Sequence, residues 1–189
     1  VKGHSLAAIA AGRNVVVGTA GLGADDNAEI AAAAEQKGVG VIAAGNFSIT
    51  ATLMKRFALM AAKYVPDVEV IDYASAKKPD APSGTARELA EALSAVRGAS
   101  TARPQSEVSG IPATRGAAVG SGTGVQVHAL RMPSFVLSCE ALFGLPDERL
   151  TIRHDAGSSA APYVAGTLLA VRRVVGTKGL VRGLDRIVD

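Results

Sequence analysis

Tryptophan is absent from this 189-residue chain, and aromatic residues together make up only 4% of it. With 48% hydrophobic residues, the core has to be filled by Ala, Val, Leu and Ile. That composition suits helices packed closely on a sheet and excludes a disordered chain. A single cysteine, Cys139, excludes an intramolecular disulfide and any cysteine-rich metal site. It lies in the strand-like run Phe135 to Leu142, where a small buried apolar residue is ordinary. His4, His128 and His154 are scattered, so no metal is expected. The longest uncharged stretch, Gly38 to Met54, is interrupted by Asn46, Ser48 and glycines, and no membrane span is expected. Residues 1–20 lack a charged start followed by an unbroken apolar segment, so a cytoplasmic location is expected. Long basic runs and aromatic-interleaved basic stripes are missing too. The net charge of +3 therefore gives no support to nucleic-acid binding and suits a small acidic substrate or a phosphorylated cofactor.

What is present is an α/β pattern. Asn14 to Gly18 reads as a short buried strand, Asn27 to Gln36 as an Ala-rich helix stopped by Gly38, and Val39 to Ala44 as a second strand. Strand, helix and strand with short connections predict a parallel βαβ unit, in which ligands collect beyond the carboxyl ends of the strands. Gly18-Thr19-Ala20-Gly21 and Gly45-Asn46-Phe47 stand at those ends. A second helix is expected from Ser48 to Tyr64, with Leu53, Phe57, Met60, Ala61 and Tyr64 forming its core stripe. Gly98 to Gly124 reads as an extended loop with at most one short strand. Val125 to Arg131, Phe135 to Phe143 and Arg149 to His154 read as strands of an antiparallel sheet. A helix over Ala161 to Val175 and a short tail complete the chain.

The most informative segment is Lys77-Lys78-Pro79-Asp80-Ala81-Pro82-Ser83-Gly84-Thr85-Ala86, which follows the strand Val68 to Ala74 and opens a helix. Amines followed by a Ser-Gly-Thr turn at a helix N-terminus suit a small anion. Thr85 and Glu88 have the spacing of a capping box. Spacing alone leaves two readings open, an anion site and an ordinary capped loop with solvated lysines.

The string Lys78 to Ala86 resembles the signature of the dihydrodipicolinate (4-hydroxy-tetrahydrodipicolinate) reductase family. Gly18 to Gly21, Ala44-Gly45-Asn46-Phe47-Ser48, Arg115-Gly116, Val127 to Arg131, Leu142-Phe143-Gly144 and Leu150 to Asp155 are similar to the family's further motifs, in the family's order. The resemblance implies a partial Rossmann-like parallel sheet (residues 1–47 and 158–189) and an α+β substrate and oligomerisation domain with a mainly antiparallel sheet (residues 48–157). It implies an NADPH- or NADH-dependent reductase of lysine and diaminopimelate biosynthesis, acting on a small dicarboxylate as a homotetramer. Lys78 becomes the candidate catalytic residue. Ser75, Lys78, Ser83, Gly84 and Thr85 become the substrate-binding set, and Gly18, Thr19, Ala20, Ala44, Gly45, Asn46 and Phe47 the cofactor-binding set.

Two departures from the family pattern set alternatives beside this reading. The family's Gly-rich pyrophosphate loop has no counterpart in the 189 residues, so a piece of a longer protein is expected. The His-rich run that precedes the family's Lys is here Ala74-Ser75-Ala76-Lys77, with Ala74 at the place of the presumed acid, and Ser158-Ser159-Ala160 replaces its Ser-Arg pair. A reductase of another cyclic imine or enoate is one alternative. A non-catalytic dicarboxylate-binding or assembly module without a nucleotide site is the other.

Overall fold

The computed structural model describes residues 1–19 and 22–188. In chain order it has α1 (Lys2–Ala10), β1 (Val15–Val17), α2 (Ala24–Lys37), β2 (Gly40–Ala43), α3 (Ile49–Ala62), β3 (Asp67–Ala74) and α4 (Gly84–Val96). Then follow β4 (Ala117–Val119), β5 (Val125–Arg131), β6 (Leu137–Leu145), β7 (Glu148–Ala156), α5 (Ala161–Val174) and β8 (Gly179–Arg182). They form two compact units, one from residues 1–52 together with the segment from Ser159 onward, the other from Leu53 to Ser158. The α/β class expected from the sequence is found, as a parallel sheet and a mixed sheet. Among the described residues no helix is long and apolar enough to cross a membrane.

In the first unit β2 lies between β1 and β8, and both pairs are parallel. A parallel strand covered on both faces needs apolar residues in succession. Accordingly Val41 packs with Ile9, Val17, Ile30 and Ala34, whereas the next residue, Ile42, packs with Phe47, Ala170, Val174 and Leu184. Gly38 ends α2 at φ 68°, as its position predicts. Neither α1 nor β8 stands out in the sequence. β8 is four residues long, and pairing with β2 rather than local pattern makes it a strand.

The second unit is a five-stranded sheet in the order β4-β5-β3-β6-β7. β6 and β7 form the expected antiparallel hairpin, and β6 is antiparallel to β3. β5, however, runs parallel to β3, because the chain between them crosses back through α4. On β3, Val68, Val70, Asp72 and Ala74 are buried in strict alternation with half-buried neighbours. Against Val68 and Val70 pack Ala86, Leu89, Ala90 and Leu93 of α4. The stripe expected on α3 is corrected: Phe57, Met60 and Tyr64 are exposed, and Met54, Ala58 and Ala62 are buried instead. Met54, Ala58 and Ala62, spaced by four, form the inward face of α3 and pack into the core that holds Val68, Val70 and Phe143.

Leu93 has no exposed surface. Leu93→Ala is expected to lower stability by about 3 kcal/mol in urea unfolding, the middle of the range for a buried leucine. A loss below about 1 kcal/mol would show that α4 is not the principal cover of this sheet face.

Candidate functional site

The loop from Ser75 to Ser83 hangs between the carboxyl end of β3 and the start of α4. Its anchor is Asp72, whose carboxylate has no exposed surface although it sits on the inward register of β3. Three donors converge on it: the Ser83 amide at 2.8 Å, the Ser83 hydroxyl at 2.7 Å and Arg131 Nη2 at 2.8 Å. A carboxylate this deep is tolerated only when paired and hydrogen-bonded, so it dictates where Ser83 must stand. Arg131 comes from the last position of β5, in register with Ala74, and its side chain is 17% exposed.

Ser83 serves two purposes. While donating to Asp72, its hydroxyl oxygen also accepts from the Ala86 amide and caps α4. This corrects the expected capping box. Thr85 already lies inside the first turn, and Ser83 is the N-cap. Gly84 and Thr85 are therefore the first two helical residues, at the positive end of the helix.

At the other end of the loop, Ser75 accepts hydrogen bonds from the Lys78 amide through its carbonyl and from the Lys77 amide through its hydroxyl. Its position is thereby a turn position, and no ligand is needed to explain it. Lys78 Nζ pairs with Asp80 Oδ1 at 2.7 Å, and this pairing holds the Asp80 carboxyl below the usual carboxylate range. Asp80 has the side chain of an Asx-turn residue, which would anchor the loop through its carboxylate. Instead its main-chain carbonyl, accepting from Arg131 Nη2 at 2.8 Å, is the anchor.

Other titratable groups near the loop are committed elsewhere. Alternation along β3 puts Tyr73 on the face opposite Ala74, where burial and its hydrogen bond to Glu140 push its hydroxyl pKa up. Tyr73 thus does not take the place of a missing acid. His128 Nε2 lies 2.7 Å from Glu69, which Arg115 also holds, and burial lowers the His154 pKa. Burial pushes the Cys139 thiol up to about 12, with Asp72 opposite it in register adding to the effect. Among the described residues no group of His, Cys, Asp and Glu could hold a metal ion.

The residues expected to meet a nucleotide lie in the first unit. β1 and β2 end side by side at Val17 and Ala43, and the Ala44 amide donates to the Val17 carbonyl at 3.0 Å. Gly18 and Gly45, one residue and two residues beyond, are exposed, whereas Ala44 and Phe47 are buried. Thr19 is half-buried, and Ala20 lies outside the described residues. Asn46 accepts from the Ser48 amide at 2.8 Å, which turns the chain into α3. Phe47 packs its ring into the core, and its carbonyl abuts Gly166 of α5 so closely that a Cβ there would collide with it. Exposed glycine backbone at the carboxyl ends of two parallel strands suits the flat face of a nicotinamide. Phe47 and Ala44 fit that role only as support beneath it.

Asp72 and Arg131 carry the site's geometry and were absent from the residues expected to form it. For Asp72 the signal is local, a charged residue in a core-facing register of Val68-x-Val70-x-Asp72-x-Ala74, whereas Arg131 stands out only as the last residue of the motif Val127 to Arg131.

A family model described as dihydrodipicolinate reductase, C-terminus, matches residues 50–188. Curated relatives named 4-hydroxy-tetrahydrodipicolinate reductase include those of Bacillus velezensis, 39% identical, and Bacillus subtilis, 38% identical. Both alignments cover the whole chain and 69% of the relative. A solved dipicolinate-bound dihydrodipicolinate reductase from Paenisporosarcina sp. TG-14 superposes with a TM-score of 0.81 at 32% identity, over 99% of this chain and 69% of that one. An amine dehydrogenase from Mycobacterium smegmatis shares the fold, with a TM-score of 0.56 at 16% identity, over 100% of this chain and 72% of that one.

Ser83→Ala removes both the hydroxyl bond to Asp72 and the helix cap. Thermal or urea unfolding should register a loss of about 1–3 kcal/mol, and Ser83→Thr should recover part of it. Unchanged stability in the alanine variant would mean that Asp72 does not hold the loop through this hydroxyl.

Proposed function

Because the chain belongs to the dihydrodipicolinate reductase family, we propose that it reduces a small cyclic dicarboxylate of the 4-hydroxy-tetrahydrodipicolinate kind at the β3–α4 loop, with NADPH or NADH. This places it in lysine and diaminopimelate biosynthesis, for which a cytoplasmic location is the natural setting. The observation that carries the reading is the loop itself. One end presents the Lys78 ammonium and the other the capped N-terminus of α4, on a frame fixed by a buried carboxylate.

Two cationic ends on one short loop match a substrate with two carboxylates. The first turn of α4, at Gly84 and Thr85, accepts one carboxylate through the positive end of the helix, with the Ser83 hydroxyl beneath it. Lys78 accepts the other. Its present partner, Asp80, is half exposed, and exposed ion pairs are worth only about 0–1 kcal/mol. A substrate carboxylate can therefore take over the ammonium at little cost. When bound, the dinucleotide supplies the hydride. Gly18, Thr19, Gly45 and Asn46 of the first unit would hold the nicotinamide end, with Ala44 and Phe47 as packed support for them, and in the second unit the Lys78 ammonium would stabilise charge as it shifts in the substrate. Lys78 is also the proton source nearest at hand on this loop.

Ala74 favours a second reading of the substrate. Its side chain is fully buried, and its carbonyl accepts from the Met132 amide at 3.1 Å. The place of the family's acid is thus occupied by packing. A conjugated C=C bond needs a proton delivered to carbon, whereas a protonated cyclic imine needs only the hydride. The site therefore also suits a cyclic imino acid as substrate.

The assembly implied by the resemblance is a homotetramer built on the mixed sheet, and exposed Leu145 and Leu150 of the β6–β7 hairpin support it as apolar surface to be covered. Sedimentation should give four chains per particle. A single-chain mass at micromolar concentration would contradict the assembly.

Oxidation of NADPH and of NADH, followed with 4-hydroxy-tetrahydrodipicolinate and with a cyclic imino acid as alternative acceptors, tests the function. Lys78→Ala is expected to lower kcat/KM on the true substrate by about 100-fold or more. Turnover of the imino acid alone would establish the second reading. Full activity without Lys78 would remove the loop from the chemistry.

A further inference from the structure

Arg131 touches both ends of the loop's frame with one nitrogen. Its Nη2 donates to Asp72 Oδ2 and to the Asp80 carbonyl, each at 2.8 Å, and its Nη1 donates to the Leu130 carbonyl at 2.9 Å. The Nε is buried with no hydrogen-bond partner among the described residues. This guanidinium is committed to a buried carboxylate and to main chain, so it does not itself bind substrate. The residue it fixes, Asp80, is the one whose carboxylate holds Lys78 Nζ at 2.7 Å. Four residues on three elements are thus joined by three contacts: Asp72 on β3, Arg131 on β5, and Asp80 and Lys78 on the loop.

We propose that Arg131 is a positioning residue for the reduction, setting where the Lys78 ammonium stands relative to the first turn of α4. The inference rests on the reading of the loop as a dicarboxylate site. A lysine side chain on an untethered loop would sample many positions, and the substrate would have to order it. A guanidinium that locks the Asp80 carbonyl fixes the main chain that carries Lys78, so the ammonium stays within reach of the first turn of α4 when a substrate carboxylate replaces Asp80 as its partner. The second prong of the guanidinium, Nη1 on the Leu130 carbonyl, holds Nη2 between the carboxylate and the Asp80 carbonyl; a lysine at 131 would keep the charge opposite Asp72 without that fixed orientation, and its bond to the Asp80 carbonyl would weaken. Asp72 has a double part. Through Ser83 it fixes the α4 end of the loop, and through Arg131 the Lys78 end.

The test compares Arg131→Gln and Arg131→Lys, each alone and combined with Lys78→Ala. Dipicolinate binding is measured by calorimetry, KM and kcat are measured with NADPH, and amide hydrogen exchange is followed over residues 76–86. Arg131→Gln should weaken dipicolinate binding and raise KM about tenfold while changing kcat less, the signature of lost preorganisation. In the Lys78→Ala background the same substitution should cost less than about twofold, because the group it positions is gone. Arg131→Lys, which keeps Asp72 paired and guards against a misfolded Gln variant, should fall between the two. Exchange over 76–86 should quicken in both variants while exchange in α5 stays unchanged. An Arg131→Gln effect of equal size with and without Lys78 would overturn the proposal, since Arg131 would then act on something else. Should the unaltered chain bind no dipicolinate and reduce nothing, the dicarboxylate reading fails on its own. Exchange then decides: quickened loop exchange in the Arg131 variants upholds the strut, and unchanged exchange overturns it.

Discussion

A carboxylate removed from water must be met by donors, and the second unit is organised around meeting the one on Asp72. The strand β3 drives it inward, since alternation gives it the same side as Val68 and Val70. The compensating groups come from far apart in the sequence: Ser83 starts α4, and Arg131 ends β5. Breaking such a buried pair by removing one partner typically costs about 3–5 kcal/mol, more than a surface contact could contribute. The placement of α4, the parallel pairing of β3 with β5 and the path of the loop are therefore mutually dependent. The expected ligand groups are carried on that shared frame. Lys78 belongs to a half-exposed pair with Asp80 that contributes little to stability. Its weakness suits it to exchange partners with a substrate.

The division between rigid frame and exchangeable surface also appears in the first unit. Phe47 and Ala44, grouped by sequence with the cofactor residues, are core residues, while Gly18 and Gly45 beside them expose main chain. Gly166 shows how tightly that core is built, because α5 has no room for even a methyl group against the Phe47 carbonyl. In both units the motif residues divide into those that could meet a ligand and those that hold the first kind in place.

Much of this was legible in the sequence. Alternation along Val68 to Ala74, the glycine stop at Gly38 and the helix after Pro82 all follow from local physics, and the elements they predict are present. The ordered motifs from Gly18 to Asp155 carried the family. The missed features share one property, dependence on partners distant in the chain. β8 is a strand because β2 is beside it. On α3 the inward face is Met54, Ala58 and Ala62, which join the core with residues of β3, α4 and β6, and Phe57 and Met60 are turned outward. The α4 cap sits at Ser83 and not Thr85 because Asp72 pulls on Ser83, which no local spacing rule contains. Arg131 ends a strand in an ordinary way, and its role exists only once β5 is laid beside β3.

Under the proposed function the Ser75–Ser83 loop and the first turn of α4 form one dicarboxylate site. Titrating dipicolinate into the isotope-labelled chain and following backbone amide shifts by NMR shows whether they do. Saturable shifts concentrated at Lys78, Ser83, Gly84, Thr85 and Ala86 are predicted. Binding without shifts at those amides, or shifts confined to residues of the first unit, would contradict it.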